Sequence, residues 1–227
     1  MEKISKTQID RLGDRLRKGP LSESDLTLLD GYRRSFGEAY EDVVRTIRER
    51  LKLEPTGRPA KSTGSIIEKL HRESIRLSQV QDIAGCRIVV NDIGEQERVI
   101  AALRDNFPGA SVMDRREKPS YGYRAVHVIA KVSGKLTEIQ VRSALQHLWA
   151  ELSEKLSDVV DPAIKYGGGE DKIRRELIET SEGVRKYEEL EEGIEKQIQE
   201  HTELKELIAR TLSTMISEVE NQKEKRS

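Results

Sequence analysis

The chain has 227 residues, of which 36% are charged and only 4% aromatic, with a formal net charge of -1. That length holds one large domain or one domain with a helical appendage, and the near-neutral balance argues against bulk electrostatic binding of nucleic acid. A single cysteine, Cys86, excludes an intrachain disulfide and a zinc-finger site, and its apolar neighbours Ile88, Val89 and Val90 mark it as a core thiol. No apolar run approaches the ~18 residues of a membrane span, and no secretory signal is read ahead of the first helix, so a cytoplasmic chain without a membrane partner is expected. The charge is uneven: from Glu170 onward there are 11 Lys/Arg against 16 Asp/Glu, and before it 29 against 25. The basic part suits anionic substrates.

Residues 1–19 read as a short charged helix ended by Gly19-Pro20. A second helix starts near Ser22 to Asp25 and runs to about Lys52, with Leu29, Phe36, Tyr40, Val43, Ile47 and Leu51 as its apolar stripe. Pro55, Gly57 and Pro59 mark a loop. Ser65 and Glu68 have the spacing of a capping box for the next helix, whose inner stripe is Ile66, Ile67, Leu70 and Leu77. A strand over Cys86 to Val90, a helix around Glu95 to Asn106 and a loop ending at Pro119 follow. After a hairpin come a helix over residues 143–157, breaks at Asp161-Pro162 and Gly167-Gly168-Gly169, and acidic helix to the end. There Leu190, Ile194, Ile198, His201, Leu204, Ile208, Leu212, Met215 and Val219 recur every three or four residues and line one helix face. That face can pack on its own domain or on another subunit.

The hairpin, Tyr121 to Arg142, is the most informative segment. If Ser133-Gly134 forms a two-residue turn, His127 lies opposite Gln140 and Ile129 opposite Glu138. Because side chains alternate along a strand, one face then carries Val126, Val128, Ala130, Val132, Thr137, Ile139 and Val141. The other carries Tyr123, His127, Lys131, Glu138, Gln140 and Arg142. Alternation alone accounts for a polar face, but not for a ring, an imidazole, a carboxylate, an amide and a guanidinium together.

Three further groups of residues can do chemistry. Arg58, Lys61, Ser62, Ser65 and Lys69 surround a helix start, where free N–H groups and the helix dipole already attract anions; by themselves they read as a solvated basic helix start or as a polyphosphate cradle, without the spacing of a Walker loop. Asp82 precedes the Cys86 strand, where it can cap a turn or hold Mg²⁺, with Glu138 as a second ligand if the fold joins them. Arg115, Arg116 and Lys118 precede Tyr121 and Tyr123; cations beside aromatic rings suit a nucleotide. His147 and Glu151 read as helix-surface residues.

The segments RPAKSTGSIIEKL, QDIAGCRIVV, KPSYGYRAVHV and LTEIQVRSALQHLWAE resemble, in order, the RelA/SpoT-type alarmone synthetase domain over roughly residues 58–152, in its small stand-alone class. The resemblance implies an α+β, polymerase-β-like nucleotidyltransferase fold, a mixed sheet flanked by helices. It implies N-terminal helices over 1–54, a catalytic core over 55–165 and C-terminal acidic helices over 166–227. It also implies transfer of the β,γ-pyrophosphate of ATP to the 3′-hydroxyl of GDP or GTP, with Mg²⁺. By position, Arg58 and Arg87 flank the adenine, Lys61, Ser65 and Lys69 hold the phosphates, and Asp82 binds the metal. Tyr123 stacks on the acceptor base, His127 places the acceptor with Gln140 in support, and Glu138 activates the hydroxyl and shares the metal.

Two other functions fit the same residues. One keeps the chemistry but changes the acceptor to the tRNA 3′-CCA end or an adenine nucleotide, as in toxins neutralised by an antitoxin protein; the pairs Arg33-Arg34 and Arg115-Arg116 are compatible with RNA. The other is a non-catalytic nucleotide-binding or assembly module, against which Asp82 and Glu138 argue. Self-association through the terminal helices is compatible with the C-terminal stripe.

Overall fold

The computed structural model describes residues 4–224, with side chains described to residue 217. It divides into two compact units, Met1–Glu182 and Gly183–Ser227. The first is built on a five-stranded mixed sheet. Its strands are β1 (Thr56–Arg58), β2 (Ala84–Val90), β3 (Ser111–Asp114), β4 (Val126–Val132) and β5 (Lys135–Ser143), in the order β1-β2-β5-β4-β3. Only β2 and β5 pair in parallel; the other neighbours are antiparallel.

The hairpin forms in the register its turn dictates. Ser133 and Gly134 both have positive φ, 49° and 75°, the conformation a two-residue turn needs to match the strand twist. His127 pairs with Gln140 and Ile129 with Glu138. Val126, Val128, Ala130, Ile139 and Val141 are therefore on one face with Ala84, Cys86, Ile88 and Val90 of β2, and all are buried. Cys86 is a core thiol, pushed up to about 12 by burial and then by the nearby Glu138 charge.

Helices α1 (Lys6–Lys18), α2 (Glu23–Arg34), α3 (Gly37–Thr46), α4 (Thr63–Arg72), α5 (Ile93–Asn106) and α6 (Ala144–Val159) flank the sheet. Helices α3 and α5 both contact β2, β4 and β5. Leu12, Leu29, Ile47, Ile66, Leu70, Leu77, Leu103 and Ile139 are fully buried together in the main core. A second core joins Trp149, Ala150, Ile164 and Leu177, the last on α7 (Asp171–Glu224). The division between the units falls inside α7, and in the second unit Leu190, Ile194, Ile198, Leu204, Ile208, Leu212 and Met215 are exposed; the side chain of Val219 lies outside the described residues.

Three sequence expectations change. The single helix to Lys52 is broken: the Ser35 hydroxyl donates to the Tyr32 carbonyl at 2.6 Å, and the chain restarts at Gly37 as α3. A π-helical turn, Ile47–Leu51, then ends at Lys52, whose φ is 59°. Helix α4 is capped by Ser62, which accepts from the Ser65 N–H at 3.2 Å, so Ser65 is a first-turn residue and not the cap. The loop around Gly57 contains the edge strand β1, and the loop ending at Pro119 contains β3.

Gly122 fixes how the chain enters β4. Tyr121 and Gly122 both have positive φ, 54° and 90°, in a turn closed by the Tyr123 N–H donating to the Ser120 carbonyl at 2.9 Å. A Cβ at Gly122 would lie 2.7 Å from the Trp149 ring. Gly122→Ala is expected to destabilise the fold by about 2 kcal/mol, through both the backbone conformation and the overpacked second core. A urea midpoint equal to that of the unmodified chain would show that the ring yields freely.

Candidate active site

The first half of the site gathers at the start of α4. Lys61 precedes the helix and Lys69 lies in its last turn, yet both reach one carboxylate: Lys61 Nζ is 2.7 Å from Asp82 Oδ2, and Lys69 Nζ is 3.0 Å from Asp82 Oδ1. All three side chains retain only 16–19% exposure. Burial by itself would raise the Asp82 pKa, but the two lysines hold it below the ordinary carboxylate value. The Lys61 backbone is fixed as well: its N–H donates to the Ile83 carbonyl at 2.6 Å, and its carbonyl accepts from Arg33 Nε at 2.7 Å. Arg33 is thus tied to this loop, and both it and Arg34 pair with Asp30.

The second half is a closed ring of hydrogen bonds on the polar face of the hairpin. Arg142 Nη2 donates to the Tyr123 hydroxyl at 3.0 Å and to Gln140 Oε1 at 2.8 Å. Gln140 Nε2 donates to Glu138 Oε2 at 2.7 Å. Tyr123 Oη lies 3.0 Å from His127 Nε2, and His127 Nδ1 lies 2.8 Å from Glu138 Oε1. An arginine can only donate, so the Tyr123 hydroxyl and Gln140 Oε1 accept from Arg142, and the remaining directions follow where the phenol gives its own proton to His127. The phenol accepts from Arg142 and has its own proton to place, and Nε2 is the acceptor beside it. His127 then carries its proton on Nδ1 and donates to Glu138. Both arms of the ring end as donors to one carboxylate. Burial would raise the Glu138 pKa; the bonds from His127 and Gln140 lower it, against an opposing push from the Asp82 charge, and the net direction is down.

Sheet pairing joins the two halves. In the parallel β2–β5 ladder Gly85 lies beside Glu138 and Arg87 beside Gln140, and β1 places Arg58 beside Gly85. A Cβ at Gly85 would approach the Glu138 carbonyl to 3.1 Å, so the glycine leaves room against the carboxylate strand. The result is a cavity of about 610 Å³, in the range of small-molecule sites. Its walls include Arg58, Lys61, Ser65, Asp82, Arg87, Glu138 and Gln140, with Lys69 behind Asp82. Burial and the neighbouring Arg142 charge both lower the pKa of Arg87.

Other expected residues lie off these walls. Tyr123 is half-buried against the second core, and His127 is buried; both reach the cavity only through the ring. Arg116 is engaged by Asp114 at 2.5 Å and Glu97 at 2.6 Å, and Arg115 donates to the Ser120 hydroxyl at 2.7 Å. Lys118 and Tyr121 are exposed. The structure does not bring these four to the cavity. It adds Arg142, Arg72, Lys165 and Tyr166 to the lining, none of which was assigned a role from the sequence. Arg142 is on the polar face of the hairpin with Glu138 and could be found there; Tyr166 gives no signal beyond the glycines that follow it.

Among the described residues no cluster of three or more His, Cys, Asp and Glu is arranged to hold a metal. Asp82 and Glu138 both line the cavity, and their charges oppose each other. Mg²⁺ is commonly held by one or two carboxylates, with substrate phosphates completing the shell, so this oxygen pair fits that ion.

The sheet, its flanking helices and the cavity define a nucleotidyltransferase-like fold. The small alarmone synthetase 1 of Bacillus subtilis, solved with its product pppGpp, superposes with a TM-score of 0.58 at 24% identity, covering 78% of this chain and 100% of that one. A GTP pyrophosphokinase family protein of Streptococcus pneumoniae gives 0.57 at 27% identity, over 79% and 97%. Residues 57–157 match the family described as a region found in RelA / SpoT proteins, and over this part the chain is similar to that family. An uncharacterized protein of Mycobacterium tuberculosis is 41% identical over 112 residues, 47% of this chain and 41% of that protein. The chain therefore spans less than half the length of the first curated relatives it matches.

Removing the shared carboxylate leaves two facing ammonium groups. Asp82→Asn is expected to cost about 1–3 kcal/mol of stability, less than for a fully buried pair because some solvent remains. Millimolar inorganic triphosphate should then raise the variant's melting temperature more than that of the unmodified chain. An unchanged melting temperature without ligand would mean that the lysines relax into solvent.

Proposed function

We propose that the chain transfers the β,γ-pyrophosphate of ATP to the 3′-hydroxyl of GDP or GTP, making (p)ppGpp and releasing AMP. The observation that carries this reading is the convergence, in one cavity, of the Lys61–Asp82–Lys69 cluster with a Glu138 carboxylate served by His127 and Gln140. It is supported by the RelA/SpoT region and by the likeness to a GTP pyrophosphokinase family structure.

The roles follow from charge and placement. Phosphates entering beside Ser65 and the start of α4 meet free N–H groups, and they compete with Asp82 for Lys61 and Lys69. The carboxylate relieved in that exchange, with Glu138, would hold Mg²⁺, which supplies charge neutralisation for the phosphoryl oxygens. Arg58, opposite Gly85, and Arg87, opposite Thr56, stand at the two ends of the β1–β2 ladder, line the same cavity and take the adenine. The acceptor's 3′-oxygen forms a bond to the β-phosphorus, the bond between that phosphorus and the α,β-bridging oxygen breaks, and AMP leaves with that oxygen. The hydroxyl proton passes to Glu138, whose second role is to hold the attacking oxygen in line. Positioning and charge do nearly all of this work, because phosphoryl transfer asks little covalent chemistry of the protein.

His127 and Gln140 act on Glu138 by fixing its orientation, and Tyr123 acts through His127. Tyr123→Phe should therefore lower kcat by about tenfold and, by taking an acceptor from the buried Arg142, cost about 1–3 kcal/mol of stability, whereas Glu138→Gln should cost on the order of 10³ or more in kcat. The assay is transfer of label from γ-labelled ATP, with Mg²⁺, to GDP, GTP, ADP, ATP or deacylated tRNA offered separately. Label on a guanine nucleotide that disappears in Glu138→Gln is the expected result. Label on tRNA or an adenine nucleotide alone would move the acceptor, and full activity in a folded Glu138→Gln would remove the carboxylate from the chemistry.

A further inference from the structure

Tyr166 is the only aromatic residue lining the cavity among the described residues, and it is 36% exposed. It belongs to a short 3₁₀ turn, Ile164–Tyr166, followed by Gly167-Gly168-Gly169. Those glycines make a packed turn and not a loose connector. Gly167 and Gly169 have φ of 79° and 80°. A Cβ at Gly167 would collide with the Tyr121 ring, one at Gly168 would lie 2.7 Å from the Ala163 Cβ, and one at Gly169 would lie 2.8 Å from Ile164. The Gly167 and Gly168 N–H groups donate back to the carbonyls of Ile164 and Ala163 at 3.0 and 2.9 Å. The Tyr166 ring is held in addition by Arg72, whose guanidinium carbon is 4.1 Å from the ring centroid, and Lys165 Nζ lies 5.1 Å away.

The position along α4 gives this ring a meaning. Ser65, Glu68 and Arg72 follow at helical spacing on the wall of the cavity, so Ser65 and Arg72 are about 10 Å apart along the axis at roughly 1.5 Å per residue. The N-terminal end of that wall offers hydroxyls and N–H groups for phosphates. The C-terminal end offers a guanidinium against a fixed aromatic ring, a surface suited to a planar base. A nucleoside triphosphate is long enough to reach from one end to the other. Arg58 and Arg87 line the same cavity from the sheet side.

We infer that Tyr166, braced by Arg72, forms a wall of the donor-nucleotide base pocket, against which the purine of ATP packs. This deepens the proposed function and rests on it for the identity of the donor, but base binding can be read without any transfer. The probes are the α,β-methylene analogue of ATP and inorganic triphosphate, titrated calorimetrically with Mg²⁺ into the full chain. Tyr166→Ala should weaken the analogue on the order of tenfold, the usual scale for one base–aromatic contact, and leave triphosphate affinity unchanged. Tyr166→Trp should retain affinity for the analogue, and in the transfer assay Tyr166→Ala should raise KM for ATP. Equal binding of the analogue by Tyr166→Ala and the unmodified chain would overturn the inference. So would an equal loss for both probes, which would make Tyr166 a support of the fold. If the unmodified chain transfers nothing yet shows the base-selective loss, the base wall stands and the transferase reading falls.

Discussion

The parallel pairing of β2 with β5 is the constraint on which the site depends. Parallel neighbours need a long crossover, and here α5, β3 and β4 supply it. The pairing puts Gly85 against Glu138 and Arg87 against Gln140, and β1 extends the same face with Arg58. A slip of one residue in β5 would turn Glu138 and Gln140 into the core and bring Ile139 and Val141 out. The buried valines and isoleucines of the opposite face hold that register by their own burial, each contributing on the order of 1.5–3 kcal/mol. The chemistry is thus held in place by residues that take no part in it. Thr137 shows the other side of this arrangement: it sits in the core face, fully buried, with a hydroxyl that has no partner.

Charge in the cavity is arranged as a set of exchangeable pairs. Among the described residues six cationic and five acidic side chains line it, so its walls are close to neutral. In the structure Lys61 and Lys69 share Asp82, and Arg87 lies 3.8 Å from Glu154. Each pairing limits the cost of holding a charge partly away from water before a substrate arrives. A polyphosphate offers the same cations a second anion and can displace the first. Arg142 differs, because it is 2% exposed, touches neutral groups through Nη2, and has no partner for Nε or Nη1. Its charge is balanced at one remove, by Glu138 at the far side of the ring.

Much of this could be read from the sequence where local rules are strong. Ser133-Gly134 determines the hairpin register, and with it which residues share a face with Glu138. The S-x-x-E spacing at Ser65 misled, because Ser62 has the same ability to cap and lies one turn earlier; a choice between two serines depends on where Lys61 is anchored, which is a tertiary contact. Strands β1 and β3 are three and four residues long, and their pattern is too short to show before their partners exist. Arg116 looked like a nucleotide ligand by composition, but Asp114, two residues away, and Glu97, on α5, claim it first.

Tyr166 marks where sequence reasoning stops and why. Three consecutive glycines suggest a flexible connector, since glycine is what a linker uses. The same residue is also what a close approach requires, and pattern alone does not separate the two. Here the backbone lies against the Tyr121 ring, Ala163 and Ile164, contacts that exclude side chains. A flexible segment would let an aromatic residue average over many positions and lose the entropy of ordering when a ligand binds. A turn that is already closed and stacked on Arg72 has met that cost during folding, so any base contact made by Tyr166 keeps more of its free energy for binding.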